Sequence, residues 1–340
     1  MEVKHPMSHR KVIGAWLLVG VLMIAGMIVL GGITRLTQSG LSIVEWKPIT
    51  GILPPLSHED WDEAFEAYRQ FPQYAILNQD MTLEEFKTIF WWEYIHRLWG
   101  RLIGLVFIVP FLLFLRKGWL SRSQLVRLGL IFLAGALQGL VGWIMVQSGL
   151  NDLPHVSHLR LTLHFLMALF LFGLVLWEWL RTISGPSDDG SWQKQSSWVV
   201  TLGLLLLLQV TYGALTAGLK AGHMYNTFPT MNGSWIPAEL WMLSPWIDNL
   251  FSNPVTVQFL HRFVGVALLL LVWVYRWRAP STSALQLWLA LLITAQLVLG
   301  VAALLWSVPV WLGVLHQAGA VCIVGFFVAH LYSERRKATI

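Results

Sequence analysis

The side chains best equipped for chemistry in this sequence are histidines that recur in register. The block EYIHRLWG (93–100) aligns with QFLHRFVG (258–265), so His96 and Arg97 fall against His261 and Arg262. His164, with Ala168 one turn on, answers to His316 with Ala320. Among the 11 His, His155, His158 and His223 have no repeat counterpart and His330 lies at the far end of its segment; of these only His158 keeps a candidate role in a site. The chain has a single Cys, Cys322, which excludes a disulfide framework, a thiolate zinc site and an iron–sulfur cluster, and leaves imidazole as the plentiful metal ligand. Two imidazoles per half suit the two axial positions of a haem iron. Taken singly, each could instead be a packed, hydrogen-bonded histidine between helices.

The halves differ where Glu93 meets Gln258. Three residues before His96, Glu93 shares its helical face, so the first half offers a carboxylate where the second has a neutral amide. A carboxylate at a membrane edge is costly and by default functional. This asymmetry predicts a permanent haem in the second half and a haem that undergoes chemistry in the first; the structural alternative is an i, i+4 pair of Glu93 with Arg97. Arg97 and Arg101 are like charges one turn apart, a placement that an anion such as a haem propionate would relieve. Arg97 is expected to bind the haem of the first half and Arg262 that of the second, the alternative for both being to snorkel to headgroups. Gly100, Gly104 and Gly265 leave room for a flat macrocycle or for close helix packing.

The elements that must position these residues are membrane helices. Of the 340 residues 56% are apolar and only 12% charged, about half the charge of a soluble domain, so the solvent is lipid. Eight apolar runs of about 20 residues are predicted to span a bilayer: 12–30, 94–115, 125–146, 159–180, 198–217, 258–277, 285–306 and 311–331. The net charge of +5 is sorted by position and calls for no nucleic acid. Lys4, Arg10 and Lys11, then Arg116, Lys117, Arg122 and Arg127, then Arg181 and Lys194, then Arg276 and Arg278, then Arg335, Arg336 and Lys337 all fall on one side, which predicts both termini in the cytoplasm and a retained first helix. The four histidines then lie about 15 to 19 residues above the inner boundary, roughly 22 to 29 Å at the rise of a helix. The long first outer loop (31–92) is expected to carry two short amphipathic helices, begun by the capping boxes Ser57 to Asp60 and Thr82 to Glu85, as a lid with its aromatic face on the membrane.

Span 3 carries QGLVG (138–142) and span 7 QLVLG (296–300); spans 1 and 5 end in T-x5-G, from Thr34 and from Thr216. An even number of spans per repeat predicts an all-α membrane protein of two four-helix bundles, 1–185 and 186–340, related by a pseudo-twofold axis along the membrane normal.

The segments GGITRLTQSGLSIVEWKPITGILPP (31–55), WWEYIHRLWGR (91–101), VSHLRLTLHF (156–165), AGLKAGHMYNTFPTMNGSWIP (217–237), QFLHR (258–262) and LHQAGA (315–320) resemble the haem A synthase family of Gram-negative bacteria and mitochondria in order and spacing over nearly the whole chain. The resemblance implies oxidation of the C8 methyl of haem O to the formyl of haem A, by successive hydroxylations and loss of water from a geminal diol. It implies Glu93 as the essential acidic residue, either a general base toward water or a stabiliser of a developing cation. It assigns His96 and His164 to the substrate haem, and His261 and His316 to the iron of a haem b cofactor. Arg35 becomes a propionate partner, and Trp46, Lys47 and Pro54-Pro55 a cap over the substrate bundle. A bacterial inner-membrane location, haem O synthase as a partner and an unidentified electron acceptor follow; a homo-oligomer stays open. Some branches of the family carry a cysteine pair in the first outer loop, which this chain lacks. The competing reading is a dihaem b cytochrome for quinone-linked electron transfer, which would place haems near both faces rather than at one depth.

Overall fold

In the computed structural model, residues 7–45, 50–151, 154–184, 196–278 and 283–337 are described, and they form an all-helical structure. Trp46 and Lys47, the basic residues Lys4 and Lys194, and the 185/186 boundary between the two expected halves lie outside the described residues. Among the described residues eight helices are long and apolar enough to cross a membrane: α1 (Met7–Leu36), α4 (Leu83–Arg116), α5 (Arg122–Gln147), α6 (His158–Ser184), α7 (Ser197–Gly218), α9 (Pro254–Arg278), α10 (Ala284–Leu305) and α11 (Val310–Lys337). All eight expected spans are present. In hydrocarbon a backbone can satisfy its own N–H and C=O groups only as a helix or closed barrel, so long apolar runs become helices.

Helices α1, α4, α5 and α6 bury one apolar core, around Ile13, Leu17, Leu128 and Val175. A second core gathers α7, α9, α10 and α11 around Val199, Leu202, Val272 and Leu289. Between the two sets α1 packs on α11, α6 on α7, and α6 on α11. Polar contacts cross the same seam, two of them between α1 and the second set. Arg35 Nη1 donates to the carbonyl of Ala217 at 2.7 Å, and Gln317 Nε2 donates to the carbonyl of Ile28 at 2.5 Å. Within the first set, Pro110 inside α4 has no N–H for the carbonyl of Val106, and Trp16 of α1 supplies one at 2.8 Å. Arg127 of α5 grips the buried Glu178 of α6 through two hydrogen bonds of 2.7 and 3.0 Å, so one of the counted basic residues is partnered inside the protein.

The segment between α1 and α4 departs from expectation in three respects. Both capping boxes are formed, but only the first begins a short helix, α2 (His58–Arg69). The helix begun at Thr82 meets neither Gly nor Pro before the membrane and continues as α4, which therefore starts eleven residues before the expected span. A further helix, α3 (Pro72–Leu77), starts on Pro72. The aromatic face of α2 lies against the projecting turns of α4: Tyr68, Phe86 and Phe90 are buried together, with Phe65, Trp61 and Tyr74 around them. The lid thus has a small aromatic core of its own.

Candidate functional site

The histidines enter from helix starts. His164, His261 and His316 lie six or seven residues into α6, α9 and α11, and His96 sits on α4 just past its projecting turns. Each ring faces a glycine on a helix running the other way. A methyl group on Gly31 of α1 would lie 3.3 Å from His96 Nε2, and on Gly142 of α5 it would lie 2.7 Å from His164 Cε1. In the second half the corresponding distances are 3.1 Å from Gly213 of α7 to His261 Cε1, and 2.8 Å from Gly300 of α10 to His316 Cε1. At Gly142 and Gly300 a side chain would force the ring or helix to shift, while at Gly31 and Gly213 the fit is tight.

One turn before three of these glycines stands a glutamine, and each reaches its histidine. Gln138 Nε2 lies 3.2 Å from His164 Nδ1 and donates to the carbonyl of His164 at 2.9 Å. Gln296 Nε2 donates to the carbonyl of His316 at 2.7 Å. Gln209 Nε2 lies 3.2 Å from His261 Nδ1. The Oε1 atoms of Gln138 and Gln209 are buried without a partner among the described residues. Gln138 and Gln296 begin the blocks that the two halves repeat, and Gln209 lies outside them. That they share a Q-x3-G spacing (138–142, 209–213 and 296–300) was visible in two of the three cases, and the glycine's role as a seat for imidazole was not.

The residues present fit a haem. The rings of His261 and His316 have centroids 6.3 Å apart and planes at 84°. Two imidazoles on opposite faces of one metal, each bonded at about 2 Å, put their ring centres roughly 6 Å apart. Among the described residues no three of His, Cys, Asp and Glu cluster as a metal cage would, but a haem asks only for two axial nitrogens.

Glu93 is 3% exposed and both its oxygens are occupied. Oε1 accepts from Arg97 Nη2 at 2.6 Å and Nε at 3.0 Å, which is the i, i+4 pair. Oε2 accepts from Ser42 Oγ and from the Ile43 N–H, both at 2.8 Å. Arg97 also donates to the carbonyls of Ile43 at 2.6 Å and Glu45 at 3.0 Å. Arg262 repeats the grip on the other long loop, donating to the carbonyls of Tyr225 at 2.6 Å and Thr227 at 2.8 Å. Gln258, in place of Glu93, donates to the same Tyr225 carbonyl at 3.1 Å. Both arginines therefore fasten loops to the helices that carry the histidines.

Around the site, Gly100 and Gly265 are approached by Met27 Cε and Gln209 Nε2, so close packing claims the space there, while Gly104 faces open space. Arg35 is at the end of α1, its Nη1 on Ala217 and its buried Nε without a partner among the described residues. His158 Nε2 lies 3.3 Å from Ser252 Oγ in the short helix α8 (Asp248–Ser252). His330 is fully buried against Tyr275, whose hydroxyl is 2.9 Å from Nε2, away from the four.

Fold and site together define a multi-pass membrane protein of two packed helix sets, the second of which brings His261 and His316 to a ring separation of 6.3 Å. The chain belongs to the cytochrome oxidase assembly protein family, whose model matches residues 14–328. It is 46% identical over 323 residues to the haem A synthase of Nitrosospira multiformis, covering 92% of this chain and 91% of that one. The haem A synthase of Parvibaculum lavamentivorans is 45% identical over 321 residues, covering 94% and 93%. That of Bradyrhizobium sp. strain ORS 278 is 45% identical over 358 residues, covering 100% and 96%.

Proposed function

We propose that this protein makes haem A from haem O by oxidising the C8 methyl group to a formyl group. The observation that carries this reading is the His261–His316 separation of 6.3 Å, the span of two axial imidazoles, in a chain similar over nearly its whole length to haem A synthases. His261 and His316 hold haem b, and His96 and His164 take haem O as substrate. Oxidising a methyl to an aldehyde with one water removes four electrons and four protons; haem b, which His261 and His316 would hold, would supply one-electron redox chemistry, and an electron acceptor outside the chain is the final oxidant.

The chain's own residues set the stage for this. Glu93, held by Ser42 Oγ, the Ile43 N–H and Arg97, is the carboxylate available to take a proton or to face a developing cation beside the substrate pair. Arg97 and Glu93 draw the loop over the histidine end, and Arg262 does the same over the resident pair. Arg35 lies between the two halves, where a propionate could take its remaining donor. The halves, 1–185 and 186–340, are related by a twofold axis along the membrane normal; the reciprocal crossings of α1 on α11 and α6 on α7 support it. Both termini lie on the cytoplasmic side of the bacterial cell membrane. Haem O synthase is the partner whose product this site consumes.

The test is expression with a haem O synthase in a host that lacks haem A, followed by chromatography of the extracted haems. Haem A or its hydroxylated precursor is the expected product. Haem O recovered unchanged would overturn the reading.

A further inference from the structure

The register that aligns Thr34 with Thr216 places Gly31 at Gly213 and Met27 at Gln209. The packing agrees: Met27 Cε approaches the Gly100 position at 3.3 Å, and Gln209 Nε2 approaches the equivalent Gly265 at 3.1 Å. Three of the four histidines thus have a glutamine one turn from their glycine, and His96 has a methionine. A histidine bound to iron through Nε2 carries its proton on Nδ1, and an acceptor there fixes the ring and raises its basicity. A carboxamide can present either end. Gln209 Oε1, buried and unpartnered, becomes that acceptor for His261 when the amide turns over. A thioether is only a weak acceptor, and among the described residues no side chain hydrogen-bonds the His96 ring; His316 Nδ1 is likewise unpartnered, Gln296 reaching only its carbonyl, so the contrast is between the equivalent residues His96 and His261.

We propose that Met27 makes His96 the releasable ligand of the chain, and that Gln209 is the positioning residue that makes His261 a permanent one. The substrate pair must let haem O in and haem A out, whereas the resident pair must keep its haem through many turnovers. Met and Gln are unbranched and similar in length, so the two halves differ in hydrogen bonding at nearly equal volume. This rests on the reading that the four histidines are axial ligands.

The experiment titrates haem O in detergent micelles into purified protein, following the Soret band, and measures the reduction potential of each haem. Met27→Gln is expected to tighten haem O binding by about tenfold or more and to lower the potential of that haem. Gln209→Met is expected to loosen the resident haem by a similar factor and to raise its potential, with Gln209→Glu restoring retention. His96→Ala serves as control. If His96→Ala binds haem O as wild type does, the ligand assignment fails. If it abolishes binding while Met27→Gln leaves affinity and potential unchanged, the role of Met27 is overturned. Should Met27→Gln fail to fold, unchanged retention and potential in Gln209→Met overturns the inference in the same way.

Discussion

Glu93 carries two duties that its surroundings make separable. Its Oε1 meets the Arg97 guanidinium and its Oε2 ties down Ser42 and Ile43, so it closes the first loop as well as placing a carboxylate near His96. Glu93→Gln keeps a side chain of the same length with one carbonyl acceptor and removes the negative charge. Haem content and protease resistance of the loop are expected to stay near wild type, while haem A formation falls at least about hundredfold. Conversion at the wild-type rate in this variant would assign Glu93 to the loop alone. Glu93→Ala should open the loop as well, because it leaves the Ser42 and Ile43 donors without their acceptor and costs about 1–3 kcal/mol for each buried group.

At the scale of elements, the glycines opposite the histidines are stricter than those beside them. Gly142→Ala and Gly300→Ala would set a methyl 2.7 and 2.8 Å from an imidazole carbon, so the ring or the helix must move. Overpacking of this kind costs about 1–3 kcal/mol and displaces the ligand. Each variant should lose the haem of its own half, read as haem per protein from the reduced spectrum, and Gly104→Ala, with nothing within 4 Å, should lose neither. The lid helix α2 depends on its cap in a pH-dependent way. Backbone N–H groups of Ser57 and Leu56, and then the Ser57 hydroxyl, hold the Asp60 carboxyl below its ordinary value of 3.8. A carboxyl lowered on folding stabilises the folded form above its unfolded pKa, and that contribution fades as pH falls through the lower folded value. Hydrogen-exchange protection of α2, corrected for intrinsic rate, should be level from pH 7 to pH 5 and decline below about pH 4. Ser57→Ala should lower protection at all pH values, by about 1 kcal/mol.

For the whole molecule, the seam between the helix sets brings the repeats together at matched places. Arg35 donates to Ala217, the residue that the repeat aligns with it, so the two chain segments meet near the proposed axis. The sorting of Lys and Arg to one end predicts the orientation. Alkaline phosphatase inserted before α2, near Leu56, should be active, and green fluorescent protein fused after Ile340 should fluoresce. The reverse pattern would invert the topology and put the histidine end on the cytoplasmic side.

Span number, the four repeated histidines and the Glu93/Gln258 contrast could be read along the chain, because lipid leaves so few places for charge and imidazole that each one stands out in an apolar repeat. The capping box at Ser57 was equally legible, since it is satisfied within four residues. The fate of the Thr82 helix, which runs on into the membrane, was not, because a capping box marks where a helix starts and says nothing of where it stops. Nor could the sequence show what Arg97 and Arg262 hold, or that Gln209 stands beside His261 and Met27 beside Gly100. Those partners lie 35 to 54 residues away or on another helix, and their distances are set by packing across the bundle, not by any local pattern.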